Sequence, residues 1–152
     1  MRKTLVTLGL LLLPAVVAGQ GLDKYMEMLR SDLRTQKTEM LTDALKLTDA
    51  QAPKFWPIQR EYETELAKIQ DARIAMIKDY AKNYDNMTDA KATELMSQVF
   101  KLEDQRNALL KKYAGKVAKA VSPMEAARFV QVEKLVQSLL DVQVRGDVPL
   151  IP

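Results

Sequence analysis

No cysteine and no histidine occur among the 152 residues of the chain. Without cysteine no disulfide framework exists, so the fold rests on packing alone. Without either residue the chain lacks the usual general base near neutral pH and both common soft metal ligands. Helical di-iron sites built from Glu-x-x-His are excluded for the same reason. Glycine and proline are sparse, at 5 and 6, and no glycine-rich phosphate loop is present. The carboxylates sit beside Lys and Arg in helix-forming stretches, where a solvated, salt-bridged face accounts for them. Catalysis, a cofactor and a metal site are therefore not expected. Met26-Glu27-Met28 is the one soft-metal pattern, for copper(I), but methionine pairs on an amphipathic helix ordinarily serve packing.

What is abundant is Leu, Ala, Lys, Glu, Gln and Met, all good helix formers, in a chain 47% hydrophobic. The expected class is all-α. Residues 1–18 carry the marks of an export signal: Arg2 and Lys3, an apolar run over 5–17, and small residues at Val16-Val17-Ala18. The run is shorter than the roughly 20 residues of a membrane span, and no cysteine follows it to carry a lipid. The expected mature protein is exported to the periplasm, with no stable membrane insertion. Its charge is near +1, because Arg2 and Lys3 leave with the signal. Nucleic-acid binding needs a clustered positive excess and is not expected.

The mature chain reads as four amphipathic helical segments over residues 19–144, followed by an extended tail over 145–152. In the first, Leu22, Met26, Leu29, Leu33, Met40, Ala44 and Leu47 form the apolar stripe, with Arg30, Asp32, Arg34, Lys37 and Glu39 on the solvated side. The second runs from about 48 to 83, with Phe55, Ile58, Tyr62, Leu66, Ile69 and Met76 near the period of about 3.6. Pro53 and Pro57 predict a kink or a separate turn at its start. The third, 88 to 120, carries Leu95, Val99, Leu102, Leu109, Tyr113 and Val117. At about 1.5 Å per residue it spans roughly 50 Å, which predicts an elongated bundle. Gly115 inside it predicts a bend or a close helix crossing. The fourth, 123 to 142, places Ala126, Phe129, Val132, Val136 and Leu139 on one side.

Three of these segments open in one way. Leu47, Met87 or Val121 precedes Thr48, Thr88 or Ser122, each a good N-cap. Thr48 with Gln51, and Ser122 with Glu125, predict capping boxes: the hydroxyl accepts from the N–H three residues on, and that residue's side chain reaches back. After Thr88 the corresponding residue is Lys91, which cannot accept, so only half a box is expected there.

Leu47-Thr48-Asp49-Ala50-Gln51 and Met87-Thr88-Asp89-Ala90-Lys91 resemble the twice-occurring L-T-x-x-Q tag of the Spy/CpxP family of periplasmic stress proteins, the second in degenerate form. The order of segments and the export signal agree over nearly the whole mature chain. Lys91 in place of Gln, the paired prolines and the lack of histidine depart from the pattern. The resemblance implies a thin, curved, antiparallel homodimer, a cradle that binds unfolded polypeptide without ATP. Some members instead restrain a membrane sensor kinase. The alternative function is thus a signalling modulator whose partner is a sensor kinase or an anti-sigma factor.

Adaptable Met and aromatic side chains bordered by cations suit a varied polypeptide partner. The candidate client-binding residues are Met26, Met40, Phe55, Trp56, Met76 and Met96, with Arg60, Arg73 and Arg106 at the border. Lys112 and Lys116 belong to the same cationic border.

Overall fold

The computed structural model describes residues 35–151, and every regular element among them is helical. Helix α1 is described over 35–45, α2 is Ala52–Asn83, α3 is Asp89–Ala120 and α4 is Pro123–Asp147, with a short 3-10 turn at Tyr84–Asn86. Residues 1–18, the stripe positions Leu22, Met26, Leu29 and Leu33, and the neighbouring Arg30, Asp32 and Arg34 lie outside the described residues. Among those described, no helix is long and apolar enough to cross a membrane.

From Lys37 onward the chain packs as one unit. Its helices meet along cross-chain pairs that fix their register. Lys116 reaches Glu61 at 2.7 Å and Lys112 reaches Glu65 at 3.0 Å, so α2 and α3 run antiparallel. Lys134 donates to Asn107 at 2.6 Å, and Arg106 lies 3.5 Å from Asp141, so α3 and α4 are antiparallel as well. Leu41 and Leu45 of α1, Phe55, Tyr62 and Leu66 of α2, Tyr113 and Val117 of α3, and Phe129 of α4 fill the core. Phe129 meets Phe55 and Tyr62 edge-on at 6.0 and 5.3 Å, and Tyr62 meets Tyr113 at 5.5 Å. Burying each such side chain contributes about 1.5–3 kcal/mol, and the edge-on geometry adds a fraction more per pair.

Three boundaries differ from the sequence reading, and so does the course of α2 through Pro57. Helix α2 begins at Ala52, not Thr48. A start at Thr48 would put Pro53 where an N–H is required, whereas in the observed helix it lies at the second position, where the donor is unpaired anyway. The helix then runs on unbroken through Pro57, against the expected separate turn. It forgoes one backbone bond there, while Phe55 and Gln59 on either side are buried and hold it in place.

Helix α1 stops at residue 45, so Leu47 is not helical, although it still packs against the core. Helix α4 continues to Asp147, and the tail begins at Val148 rather than Arg145. Pro149 sets that limit by forcing the preceding residue out of helical geometry, and Val148 is extended at φ −101°, ψ 115°. The Tyr80 hydroxyl donates to the Pro149 carbonyl at 2.8 Å and ties the tail to α2. Gly115 marks no close crossing, because a Cβ built there has nothing within 4 Å.

Candidate functional site

The three helix starts divide into one predicted form and two partial ones. Thr88 caps α3 as expected, its hydroxyl accepting from Lys91 N–H at 3.2 Å. Lys91 cannot complete a box and its ammonium turns to Asp79 at 2.6 Å and Glu94 at 3.0 Å. Those two partners hold its pKa above the ordinary lysine value, the Asp79 bond being the larger cause. Ser122 caps α4, accepting from Glu125 N–H at 3.1 Å. Glu125 does not reach back to it: one carboxylate oxygen bonds Arg128 at 2.7 Å, and the other is buried with no hydrogen-bond partner among the described residues.

At the first motif the predicted cap is reversed. Gln51 Oε1 accepts from Thr48 N–H at 3.0 Å, but the Thr48 hydroxyl donates to that same oxygen at 3.1 Å. It has no N–H to accept from, since the Gln51 N–H is already bonded to the Thr48 carbonyl at 2.9 Å. Thr48 through Gln51 is therefore a closed turn ahead of α2.

The candidate contact residues scatter. Met26 lies outside the described residues. Phe55 is fully buried and belongs to the core, not to a contact surface. Met40 and Trp56 are half-buried against that core, and Met76 is half-buried. Arg60 and Met96 are exposed. Arg73 and Arg106 are not border cations: they converge from α2 and α3 on Asp141 of α4, at 2.7 and 3.5 Å. Lys112 and Lys116 are likewise occupied, by Glu65 and Glu61, and lie over the Tyr113 ring at 5.1 and 4.5 Å. Bonds from the Tyr113 hydroxyl and Lys112 lower the pKa of the Glu65 carboxyl.

The exposed apolar surface lies elsewhere. On α3, Met96, Val99 and Phe100 stand in solvent, Phe100 with 59% of its surface open. On α4, Leu135, Leu139 and Val142 do the same, Val142 at 74%. Steps of three and four residues put each trio on one helix face. Val99 and Leu139, expected in the packed stripes, are thus corrected to solvent-facing positions. The antiparallel register set by Asn107 with Lys134 and Arg106 with Asp141 brings Val99 and Phe100 level with residues 141–148. Val99 and Val142 therefore lie at about one level, with Leu139 and Leu135 stepping from there toward the middle of the α3–α4 hairpin.

A second grouping escaped the sequence reading. Lys37, read there as solvated, is buried between α2 and α4. Its ammonium pairs with Glu63 and lies 3.0 and 3.1 Å from the two oxygens of Glu133. The Tyr62 hydroxyl donates to Glu133 at 3.1 Å. Burial, opposed by Lys37 and aided by Glu63, raises the Glu133 pKa. Burial first and Glu133 second raise that of Tyr62, which keeps its proton and remains a donor. The available signal was position: Glu133 falls one helical turn after Phe129, on the apolar face of α4, and Lys37 one turn before Leu41. Among the described residues no three His, Cys, Asp or Glu side chains form a metal-holding group.

No family model, no curated protein and no solved structure matches the chain.

Proposed function

We propose that the protein is an exported, ATP-independent chaperone-like protein that binds unfolded polypeptide, of the kind the Spy/CpxP resemblance implies. The observation that carries the reading is the pair of exposed apolar trios, Met96, Val99 and Phe100 on α3 and Leu135, Leu139 and Val142 on α4. Apolar side chains grouped on a helix face and left in water favour a partner that covers them. Segments of unfolded chain, which vary in shape, suit a surface offering flexible Met and Leu side chains alongside one aromatic ring. The reading includes a periplasmic homodimer in a cradle arrangement, whose seam would draw on part of the same surface.

Light scattering from a denatured, aggregating protein tests it. The mature chain, residues 19–152, is added at equimolar concentration without nucleotide. Suppressed scattering is expected. Unchanged scattering, with a sample shown to be folded, would refute the chaperone reading.

A further inference from the structure

Among the described residues of α1, Leu41 and Leu45 are fully buried, Met40 and Ala44 pack against the core, and Lys37 is a buried charge. Every helix facing that ammonium contributes to its surroundings. Glu63 of α2 and Glu133 of α4 pair with it. The Tyr62 ring of α2 lies 5.5 Å from Lys37 Nζ, and its hydroxyl holds Glu133. Arg106 of α3 acts on Tyr62 through its charge. A buried charge is tolerated only while paired, so the seat is firm with all its members present and weak when one is withdrawn.

The other end of α1 is held against local preference. Lys46, directly after the helix, adopts φ 47°, a left-handed conformation that favours glycine at helix ends and disfavours a side chain such as lysine. A link of six residues, 46–51, then leads to α2. Lifting α1 together with Leu47, which packs against the core, lets Lys46 leave that conformation, while α2, α3 and α4 stay joined through Tyr62–Tyr113, Tyr62–Phe129 and the Arg73–Asp141–Arg106 bridge.

We propose that α1 is a latch: it opens as a separate unit, pivoting on residues 46–51, and it is closed by insertion of Lys37 between Glu63 and Glu133. Opening withdraws Lys37 from the Tyr62 ring, Glu63 and Glu133, and takes Leu41 and Leu45 out of the core. The latch is a property of the fold and holds whatever the α3 and α4 trios bind.

Native-state hydrogen exchange of the mature chain tests it at residue level. Amides of residues 38–45 are expected to exchange through an opening less costly, and less denaturant-dependent, than that of the buried stretch of α3. Leu95→Ala weakens α3 far from the latch. It is expected to speed exchange in α3 while leaving residues 38–45 unchanged; an equal rise in both would show that α1 opens only with global unfolding and would overturn the proposal. Lys37→Met is expected to speed exchange of residues 38–45 about tenfold or more, since two carboxylates lose their shared cation. No change would remove Lys37 as the fastening. Should that variant not fold, Lys46→Gly supplies the complementary test. By relieving the left-handed strain it is expected to slow exchange of residues 38–45, and faster exchange there would contradict the pivot.

Discussion

Replacing Lys37 by methionine makes the stability of the protein depend more steeply on pH, with a sign that follows from the cluster. In the native protein Lys37 pairs with Glu63 and with both oxygens of Glu133. Glu133 has its pKa raised mainly by burial, and Lys37 is the largest influence pulling it back down. Methionine keeps the packing of the side-chain stem and removes that pull, so the folded-state value climbs further above the unfolded one. A carboxyl that binds its proton more tightly when folded supports the fold below the ordinary carboxyl range and loses that support as pH rises through the raised value.

The deficit of Lys37→Met is therefore smallest near pH 4.5 and largest at pH 7, where Glu63 and Glu133 face each other without a cation. Breaking a buried pair by removing one partner costs about 3–5 kcal/mol; Glu63 is partly open to water, so about 2–3 kcal/mol at pH 7 is the expected loss. Glu133→Gln behaves oppositely. It leaves Lys37 with Glu63, keeps an acceptor for Tyr62, and flattens the pH dependence in the same window. Urea unfolding at pH 7 and at pH 5 reads both effects as midpoint shifts at constant slope. A Lys37→Met deficit equal at the two pH values, or larger at pH 5, would refute the reasoning.

Gly115→Ala should raise stability by about 0.5–1 kcal/mol, because the position is helical, exposed and open around the added methyl; a lower melting temperature would contradict the open surroundings. Thr88→Ala should cost about 1 kcal/mol through loss of the α3 cap. Thr48→Ala should cost less, since its hydroxyl bonds only the Gln51 side chain, and equal losses for the two in thermal unfolding would refute the difference between cap and turn. Phe129→Ala should cost about 3–5 kcal/mol by opening a cavity among Phe55 and Tyr62, measured by the same unfolding; a loss under about 1 kcal/mol would contradict the packing described.

Helix positions were legible because their signals are local. Thr88 and Ser122 name the starts of α3 and α4 in the residues themselves. Apolar spacing gave Tyr62, Leu66, Tyr113, Val117 and Phe129 as inward. Where two local signals competed, order in the chain did not decide the outcome: at the start of α2, Thr48 offered a cap and Pro53 moved the helix four residues onward. At the end of α4 the stretch 145–152 read as an extended tail, while the constraint that acts is Pro149 on Val148, so the helix runs to Asp147.

The site was less legible because its properties belong to pairs of helices. Val99 and Leu139 have the spacing of packed residues, and only the register of α3 on α4 leaves them in water. Arg73 and Arg106 look like surface cations until Asp141 is brought between them from α4. Glu133 is 96 residues from Lys37 in sequence, and no local pattern couples a lysine to a carboxylate at that distance. Charges on an apolar helix face are the transferable signal, and both of these residues carried it.

Fluorescence anisotropy of a labelled, permanently unfolded polypeptide, titrated with the mature chain and with a Phe100→Ser/Leu139→Ser variant, tests the central claim most directly. Both positions are exposed, so the variant should unfold at the same temperature as the parent. The account predicts saturable binding by the parent and binding at least about tenfold weaker by the variant, as two apolar anchors are lost. Equal binding by the two, or no binding by a folded parent, would contradict the assignment of the α3 and α4 trios as a polypeptide-binding surface.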